Sequence, residues 1–395
     1  MLEYTWRWFG PNDPISLTEI KPTGATGIVT ALHQIPIGEA WTEYEILKRK
    51  NIIKAEGFTW SVAESICVHE DIKKRTGSYK KYIDEYKESI RNLGKCGIDT
   101  VCYNFMPVLD WSRTNLKYDF GDGSITTRFE YHIMAAFDIF ILKRENADEN
   151  YSKEVFNKAK TFYEALNEKQ IKVLKETVLY GLPGSLEAYS LNEFKSALKT
   201  YKEIGDATLR NNLYEFIKEI TPVAEESGVF LGIHPDDPPF PLLGLPRIVS
   251  NKEDLLNILN AYDSASNGVT LCTGSLGAGY ENDLVDITKA VAERVNFIHL
   301  RNVRRNAEGD FTEDNHLDGD VNMYGVMKIL IEEQNRRIEN ADKNSRMPMR
   351  PDHGRLMLDD KPKKNIYPGY SLYGRMRALA ELRGLEVGIR HSLRV

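Results

Sequence analysis

Short apolar segments rich in branched and aromatic residues alternate with longer amphipathic segments along most of the chain. Apolar runs of this length are typical of strands that are buried in a parallel sheet. They predict eight strands, at 27–33, 58–64, 99–105, 128–134, 229–234, 269–273, 295–300 and 347–352.

The segments between these strands have the spacing of amphipathic helices. Residues 79–97 form one such segment, and residues 251–265 form another that begins after a capping candidate, Asn251 or Ser250. Strands that alternate with helices predict an α/β fold, here a (β/α)8 TIM barrel. An open doubly wound sheet is the alternative, but no glycine-rich phosphate loop follows the first strand, so the barrel is favoured.

One region is longer than a minimal barrel requires. Residues 143–228 are largely polar with helical spacing, and YGLPGS at 180–185 interrupts them. We interpret the region as a helical insertion plus an elongated barrel helix within a single domain that spans residues 1–395. A small cap is the alternative.

Composition and charge narrow the functional class. Hydrophobic residues make up 42% and charged residues 28%, which allows a large core. The net charge of −6 argues against nucleic-acid binding through a basic surface. The first residues lack a signal-peptide pattern, and the apolar runs are far shorter than the ~20 residues that span a bilayer. We therefore expect a cytoplasmic protein with no membrane or nucleic-acid partner, whose four cysteines are reduced.

Polar residues that can bind a metal stand at the ends of four successive predicted strands in the second half of the chain. In a barrel these ends converge on one mouth. The residues are His234, Cys272, His299 and Asp352. Two imidazoles, a thiolate and a carboxylate are a donor set for a divalent first-row metal, and the thiolate favours Fe²⁺, Zn²⁺ or Co²⁺ over Mg²⁺ or Ca²⁺. Each residue alone also has a structural explanation, as a loop hydrogen-bond partner, a small core residue or a turn cap.

Further polar residues lie next to these positions. Arg301 points to the same side of its strand as His299, and RPDHGR adds Arg350, His353 and Arg355. Arginines at one mouth favour an anionic ligand such as a carboxylate or phosphate, although they could pair with local acids instead. The segment NHLDGD carries His316, Asp318 and Asp320, which could equally belong to a solvated loop.

Nine motifs, in chain order, resemble those of the D-mannonate dehydratase family. They are RWFGPND, WSVAESICVHEDIK, YNFMPVLDW, GIHPDDPPFPLLGLPRI, LCTGSLG, FIHLRN, HLDGD, RPDHG and YPGYS. The resemblance extends from Trp6 to about Gly384 and is weakest in the helical insertion.

The resemblance implies a xylose-isomerase-like barrel that converts D-mannonate to 2-keto-3-deoxy-D-gluconate and water in glucuronate breakdown. It implies Mn²⁺ or Fe²⁺ as the working ion, held by the four strand-end residues above. The family's catalytic histidine falls on His353, and its catalytic tyrosine falls on Tyr370, with Tyr367 as the alternative.

A mechanism that needs these residues removes a proton at C2 and expels the C3 hydroxyl as water. We expect His353 to act as base and Tyr370 as acid, or the reverse, with Arg301, His316 and Arg350 binding the sugar acid. The alternatives are a metal-dependent sugar isomerase or epimerase on the same barrel and a non-catalytic barrel that binds a sugar acid. A homodimer is expected for a large barrel with accessory helices.

Overall fold

The computed structural model describes residues 1–180 and 189–393. The described residues form twelve strands: β1 (Glu3–Arg7), β2 (Gly27–Thr30), β3 (Thr59–Glu64), β4 (Thr100–Tyr103), β5 (Asn115–Asp119), β6 (Ile125–Phe129), β7 (Phe230–Ile233), β8 (Asn267–Cys272), β9 (Val295–Leu300), β10 (Val303–Arg305), β11 (Phe311–Glu313) and β12 (Pro348–Pro351).

Eight parallel strands close into a barrel, in the order β1-β12-β9-β8-β7-β4-β3-β2. The last strand pairs with the first, where Tyr4 lies opposite Met349. All residues of β8 and β9 are buried, as expected for strands with a filled interior on one side and helices on the other. The predicted eight-stranded barrel is confirmed, and the open sheet is excluded.

One predicted strand is wrong, and one barrel strand was missed. The segment 128–134 was expected in the barrel, but β6 ends at Phe129 and a helix follows over Tyr131–Ala136. Short apolar runs in strands and helices look alike, which explains the error. The missed strand is β1, in which polar residues such as Glu3 and Arg7 interrupt the apolar pattern.

A second, antiparallel sheet stands beside the barrel mouth, with strand order β10-β11-β6-β5. Strands β10 and β11 follow β9 directly, and β11 pairs with β6 through Phe311 and Phe129. The rings of these two residues stack with centroids 5.3 Å apart. The sheet therefore brings residues of two distant chain segments to the carboxyl ends of the barrel strands.

Fourteen α-helices lie in the described residues. They are α1 (Leu17–Ile20), α2 (Glu43–Ala55), α3 (Glu70–Lys74), α4 (Tyr79–Lys95), α5 (Tyr131–Ala136), α6 (Lys153–Glu164), α7 (Glu168–Val178), α8 (Leu191–Lys199), α9 (Asp206–Ser227), α10 (Lys252–Ala261), α11 (Thr273–Gly277), α12 (Leu284–Val291), α13 (Met323–Glu339) and α14 (Leu372–Ser392). The Asn251 side chain accepts a hydrogen bond of 3.0 Å from the backbone N–H of Asp254, so Asn251 is the cap of α10.

Four helices, α6 to α9, occupy most of the region predicted as an insertion. The last of them, α9, leads into the barrel strand β7 through Gly228, whose φ of +65° suits a residue without a side chain. The predicted interruption at 180–185 lies outside the described residues except for Tyr180. In the described part of the chain, none of the helices combines the length and apolar character that a bilayer crossing needs.

Candidate active site

The four predicted metal ligands lie at the ends of four neighbouring barrel strands. Cys272 is the last residue of β8 and lies opposite His299 in β9. His234 follows β7, where its backbone N–H donates to the Tyr103 carbonyl at 2.6 Å. Asp352 follows β12, where its backbone N–H donates to the Leu300 carbonyl at 2.9 Å. The strand register therefore brings all four side chains to one rim of the barrel.

Their donor atoms are close enough to share one ion. The ligand atoms of His234, Cys272 and His299 all lie within 4.8 Å of one another. The Cys272 sulfur lies 3.7 Å from Oδ2 of Asp352. Cys272, His299 and Asp352 are buried, and imidazole, sulfur and carboxylate groups this close together are typical ligands of a first-row metal ion. The donor set fits a divalent metal ion.

A second group of possible donors shares His299. Glu64, Cys102 and His299 also have ligand atoms within 4.8 Å of one another. The Glu64 carboxylate accepts hydrogen bonds from Arg350 at 2.9 and 3.1 Å, however. Burial alone would raise the pKa of Glu64, but Arg350 and His299 hold it well below its usual range. Glu64 therefore shares its cationic partner Arg350 with Asp352, and both groups of possible donors lie next to the same arginine.

Arg350 lies inside the barrel, next to two of the metal-ligand candidates. It donates to Oδ1 of Asp352 at 2.5 Å and to Nε2 of His299 at 3.1 Å. Burial would raise the pKa of Asp352, but Arg350 is the strongest of several neighbours that keep it well below its usual range. Asp352 is therefore an anion at neutral pH.

His353 and Tyr370 line the same cavity as His234 and Asp352. Their ring centroids lie 5.3 Å apart, and Gly354 pairs with Tyr370 through a backbone bridge. Between them Gly369 has a φ of +81°, and a Cβ at this position would lie 3.1 Å from the His353 ring. Glycine in YPGYS therefore permits both the turn and the close approach.

The structure distinguishes the two candidate tyrosines by position. Tyr370 is 5% exposed and lines the cavity. Tyr367 is partly buried, its ring packs at 4.7 Å from the Phe9 ring, and it is not part of the cavity lining. Burial raises the pKa of Tyr370, which keeps its phenol protonated at neutral pH.

Arg301 belongs to a buried ion-pair network beside the donors. It donates to Asp237 at 2.6 Å and to Glu313 at 2.7 Å, and Arg113 donates to the same two acids at 2.8 Å each. Nη1 of Arg301 also lies 3.6 Å from Oδ2 of Asp352. A Cβ on Gly274 would lie 2.4 Å from the Arg301 side chain, so the glycine of LCTGSLG makes room for this arginine.

Glu313 connects this network to His353, whose Nδ1 lies 3.0 Å from Oε1 of Glu313. Burial alone would raise the pKa of Glu313, but Arg301, His353 and Arg113 lower it to about 2. An anionic partner at Nδ1 fixes the proton there and leaves Nε2 as the basic nitrogen.

Sequence reasoning missed Glu313, Arg113 and Asp237 as members of the site. Asp237 stands in HPDDPPFP, three residues after His234, so that motif could have indicated it. Arg113 and Glu313 belong to the region of the antiparallel sheet, and no spacing rule for barrel strands applies to them.

Two of the other predicted polar residues, His316 and Arg355, have different surroundings. His316 is 4% exposed, and its Nε2 has no hydrogen-bond partner among the described residues. Burial lowers its pKa to about 4, against the attraction of Asp352. Arg355 instead pairs with Asp122 at 2.9 Å and lies over the ring of Phe120, and both partners belong to the turn between β5 and β6.

Asp318 and Asp320 take part in local loop contacts. The Asp318 carboxylate accepts from the Asn315 side chain at 2.8 Å, and the Asp320 carboxylate accepts from the backbone N–H of Arg305 at 2.8 Å. Both aspartates are therefore held by loop contacts and do not belong to the group of predicted metal ligands.

An eight-stranded parallel barrel with a group of possible metal ligands at the carboxyl ends of its strands places the chain among barrel proteins whose candidate active site is a metal site. Known proteins narrow the class. The family model described as "D-mannonate dehydratase (UxuA)" matches residues 2–394. The chain therefore belongs to the D-mannonate dehydratase family, a family of hydro-lyases.

Individual relatives agree with this membership. The chain is 51% identical over 394 residues to the mannonate dehydratase of Marinomonas sp. (strain MWYL1), covering 99% of this chain and 100% of the relative. The crystal structure of mannonate dehydratase from Streptococcus suis serotype 2 superposes with a TM-score of 0.75 and 34% identity, covering 99% of this chain and 94% of that one.

A more distant structure shows the type of barrel. A xylose isomerase-like TIM barrel protein from Mycobacterium smegmatis has a TM-score of 0.53 at 12% identity, covering 98% of both chains. This likeness supports the fold alone, and it confirms the predicted xylose-isomerase-like barrel.

Proposed function

We propose that this chain dehydrates D-mannonate to 2-keto-3-deoxy-D-gluconate and water, as a step of glucuronate breakdown. Family membership supports the reaction, and the close grouping of His234, Cys272, His299 and Asp352 beside His353 and Tyr370 is the structural observation that carries it. Neither the family model nor the Marinomonas relative favours the alternatives, a sugar isomerase or epimerase and a non-catalytic barrel that binds a sugar acid.

In this proposal the four donors hold one Mn²⁺ or Fe²⁺. When bound, the ion would supply Lewis-acid stabilisation of the negative charge that develops beside the substrate carboxylate. Cys272 favours Fe²⁺ on grounds of softness, whereas Asp352 accommodates either ion. Arg350 and Arg301, which lie next to Asp352, would add positive charge around a bound carboxylate.

His353 would remove the C2 proton through Nε2, because Nδ1 is hydrogen-bonded to Glu313. As the electrons of the C2–H bond form a double bond to C3, the C3–O bond breaks. Tyr370, whose raised pKa keeps it protonated, would donate its proton so that the hydroxyl leaves as water. The resulting enol then becomes the keto product. His316 remains a candidate for binding substrate, because its buried Nε2 lacks a partner among the described residues.

Product identity tests the reaction. Purified protein loaded with Mn²⁺ or Fe²⁺ is incubated with D-mannonate, and the product is examined by mass spectrometry and by its reactivity as a 2-keto acid. We expect a product lighter by one water. A product of unchanged mass would replace the dehydratase with an isomerase or epimerase, and binding without any product would leave a non-catalytic barrel.

The homodimer and the cytoplasmic location stay predictions from the sequence, as does the absence of a nucleic-acid partner. Light scattering coupled to size-exclusion chromatography would test the dimer directly.

A further inference from the structure

We infer that a second cavity beside the metal donors holds the hydroxylated tail, carbons 4 to 6, of the sugar acid. We name it the tail chamber, and its lining includes Arg7, His33, Ser65, Asn104 and Asp110. The inference rests on the proposed function, since it assigns the part of that substrate which the metal and the acid–base pair do not handle.

The tail chamber adjoins the donor cavity through a common wall. Ser65, Asn104, Met106 and Asp110 line both cavities. These residues follow β3 and β4, whereas the metal donors follow or end β7, β8, β9 and β12. The two functions thus occupy opposite halves of one barrel mouth, and a six-carbon acid held by its carboxylate on the donor half must extend its far end toward the other half.

The common wall presents polar groups to the chamber. The Asp110 carboxylate accepts a hydrogen bond from its own backbone N–H, and burial raises its pKa although Lys73 and Arg247 lie nearby. Asn104 is partly buried and lines both cavities. The nearby Lys73 is engaged elsewhere, because its Nζ donates to Glu70 at 2.6 Å and to the Met106 carbonyl at 2.7 Å. A carboxylate accepts hydrogen bonds and an amide both donates and accepts, which matches a row of hydroxyl groups.

The far side of the chamber also suits uncharged hydroxyls. Nε2 of His33 lies 3.4 Å from Nη2 of Arg7. Burial, with Arg7 and Arg49 nearby, lowers the pKa of His33 to about 3, so its imidazole is neutral at neutral pH. Because a guanidinium only donates, Nε2 accepts from Arg7 and Nδ1 carries the proton, so the neutral imidazole can donate to one hydroxyl without adding a charge.

The test distinguishes contacts to the tail of the substrate from contacts to its carboxylate and its reacting carbons, C2 and C3. L-Erythronate keeps the configuration of C2 and C3 of D-mannonate but ends at C4, so it lacks most of the tail. We would measure kcat/KM for D-mannonate, and the inhibition constant of L-erythronate against it, in wild-type protein, Asp110→Asn and Asn104→Ala. Asp84→Asn serves as control, because Asp84 on α4 has a side chain that is 77% exposed.

We expect kcat/KM for D-mannonate to fall about tenfold or more in each chamber variant, because each variant loses one or two hydrogen bonds to the substrate. In Asp110→Asn at least one of the lost hydrogen bonds is to a charged group. The inhibition constant of L-erythronate should change less than about twofold. Equal losses for both ligands, or unchanged kcat/KM in both variants, would overturn the tail chamber. If Asp110→Asn does not fold, Asn104→Ala decides the question alone.

Failure of the proposed function is distinguishable. If wild-type protein forms no 2-keto acid from D-mannonate, the dehydratase proposal fails by itself. Calorimetric binding of D-mannonate and L-erythronate to the same variants then tests the chamber, with the same selective loss expected and equal losses contradicting it.

Discussion

In the proposed metal site, single residues determine which ion fits. Cys272 is the only thiol in the donor group around His234, and its sulfur lies between Ser275, at 3.1 Å, and Asp352, at 3.7 Å. Oxygen and imidazole donors alone would accept many divalent ions, so the thiolate is the donor that narrows the choice.

Replacing Cys272 with serine should remove metal and activity together. A serine hydroxyl does not ionise at neutral pH and is a poor ligand, and even lost outer partners of a metal site cost about 10- to 100-fold in affinity. We therefore expect the metal content after dialysis and the turnover of D-mannonate to fall in parallel.

The matched control is Cys96→Ser, because Cys96 lies at the end of α4 near the Glu43 carbonyl. It should retain the wild-type metal content. Normal metal occupancy in Cys272→Ser would contradict the ligand assignment.

His316 should make the fold sensitive to acid. Its folded pKa of about 4 lies below the ordinary value of 6.5, so between these pH values the unfolded chain binds a proton that the folded chain does not. Above about pH 6.5 the titration of His316 does not reduce the free energy of unfolding. As the pH falls from 6.5 toward 4, protonation of His316 in the unfolded chain lowers the free energy of unfolding. The slope is at most about 1.4 kcal/mol per pH unit.

Denaturant unfolding of chelator-treated protein between pH 7 and 4 measures this slope, and His33, whose pKa is also lowered, adds to it. We expect His316→Gln to show a shallower loss of stability than wild type. Identical pH dependence in the two proteins would show that His316 is not buried in its neutral form.

At the scale of elements, the antiparallel sheet gives the barrel a residue that its own strands do not supply. Glu313 ends β11, and its carboxylate reaches His353 after β12 and Arg301 after β9. His353, the proposed base, is therefore oriented by a residue from outside the barrel strands.

Glu313→Gln should lower kcat while KM and metal content stay near wild type. The glutamine removes the anion that holds the proton on Nδ1 of His353, and loss of such a partner costs about 10- to 100-fold. Steady-state kinetics with D-mannonate measures the split between kcat and KM.

Glu308→Gln is the control, because the Glu308 side chain is 58% exposed and pairs with Lys158. It should behave as wild type. A parallel change of kcat and KM, or a loss of metal in Glu313→Gln, would assign Glu313 a structural role instead of a positioning one.

Sequence periodicity identifies the elements of the barrel unevenly. Strands β8 and β9 are buried on both faces, so short apolar runs mark their positions in the sequence. The bounds of β9 agree with the predicted 295–300, whereas β8 begins two residues before and ends one residue before the predicted 269–273. The first strand could not, because Glu3 accepts from Ser61 and Arg7 donates to the Glu64 carbonyl, which places polar residues where the pattern requires apolar ones.

At the scale of the whole molecule, barrel closure is what turns a list of strand ends into a site. Cys272, His299 and Asp352 lie 38, 65 and 118 residues after His234 in the sequence. They come together with His234 only because β7, β8, β9 and β12 are neighbours in the barrel. That convergence could be predicted from the alternation of strands and helices. The Glu313 and Arg113 contacts could not, since they depend on how an inserted sheet pairs across distant segments.

The same convergence explains the two halves of the mouth. The proposed metal ligands come from the second half of the chain, and the proposed tail chamber is lined by loops after the first strands. A fold that closes on itself can therefore hold both ends of one substrate with residues that are far apart in sequence.

The most direct test of the central claim is the turnover of D-mannonate as metal-free protein is titrated with Mn²⁺ or Fe²⁺, in wild type and in His353→Asn. We expect wild-type dehydration to be absent at first and to rise until one ion is bound per chain. His353→Asn should bind the ion equally well but turn over at least about 100-fold more slowly. Full dehydration by metal-free wild type, or by metal-loaded His353→Asn, would contradict the assignment of this site.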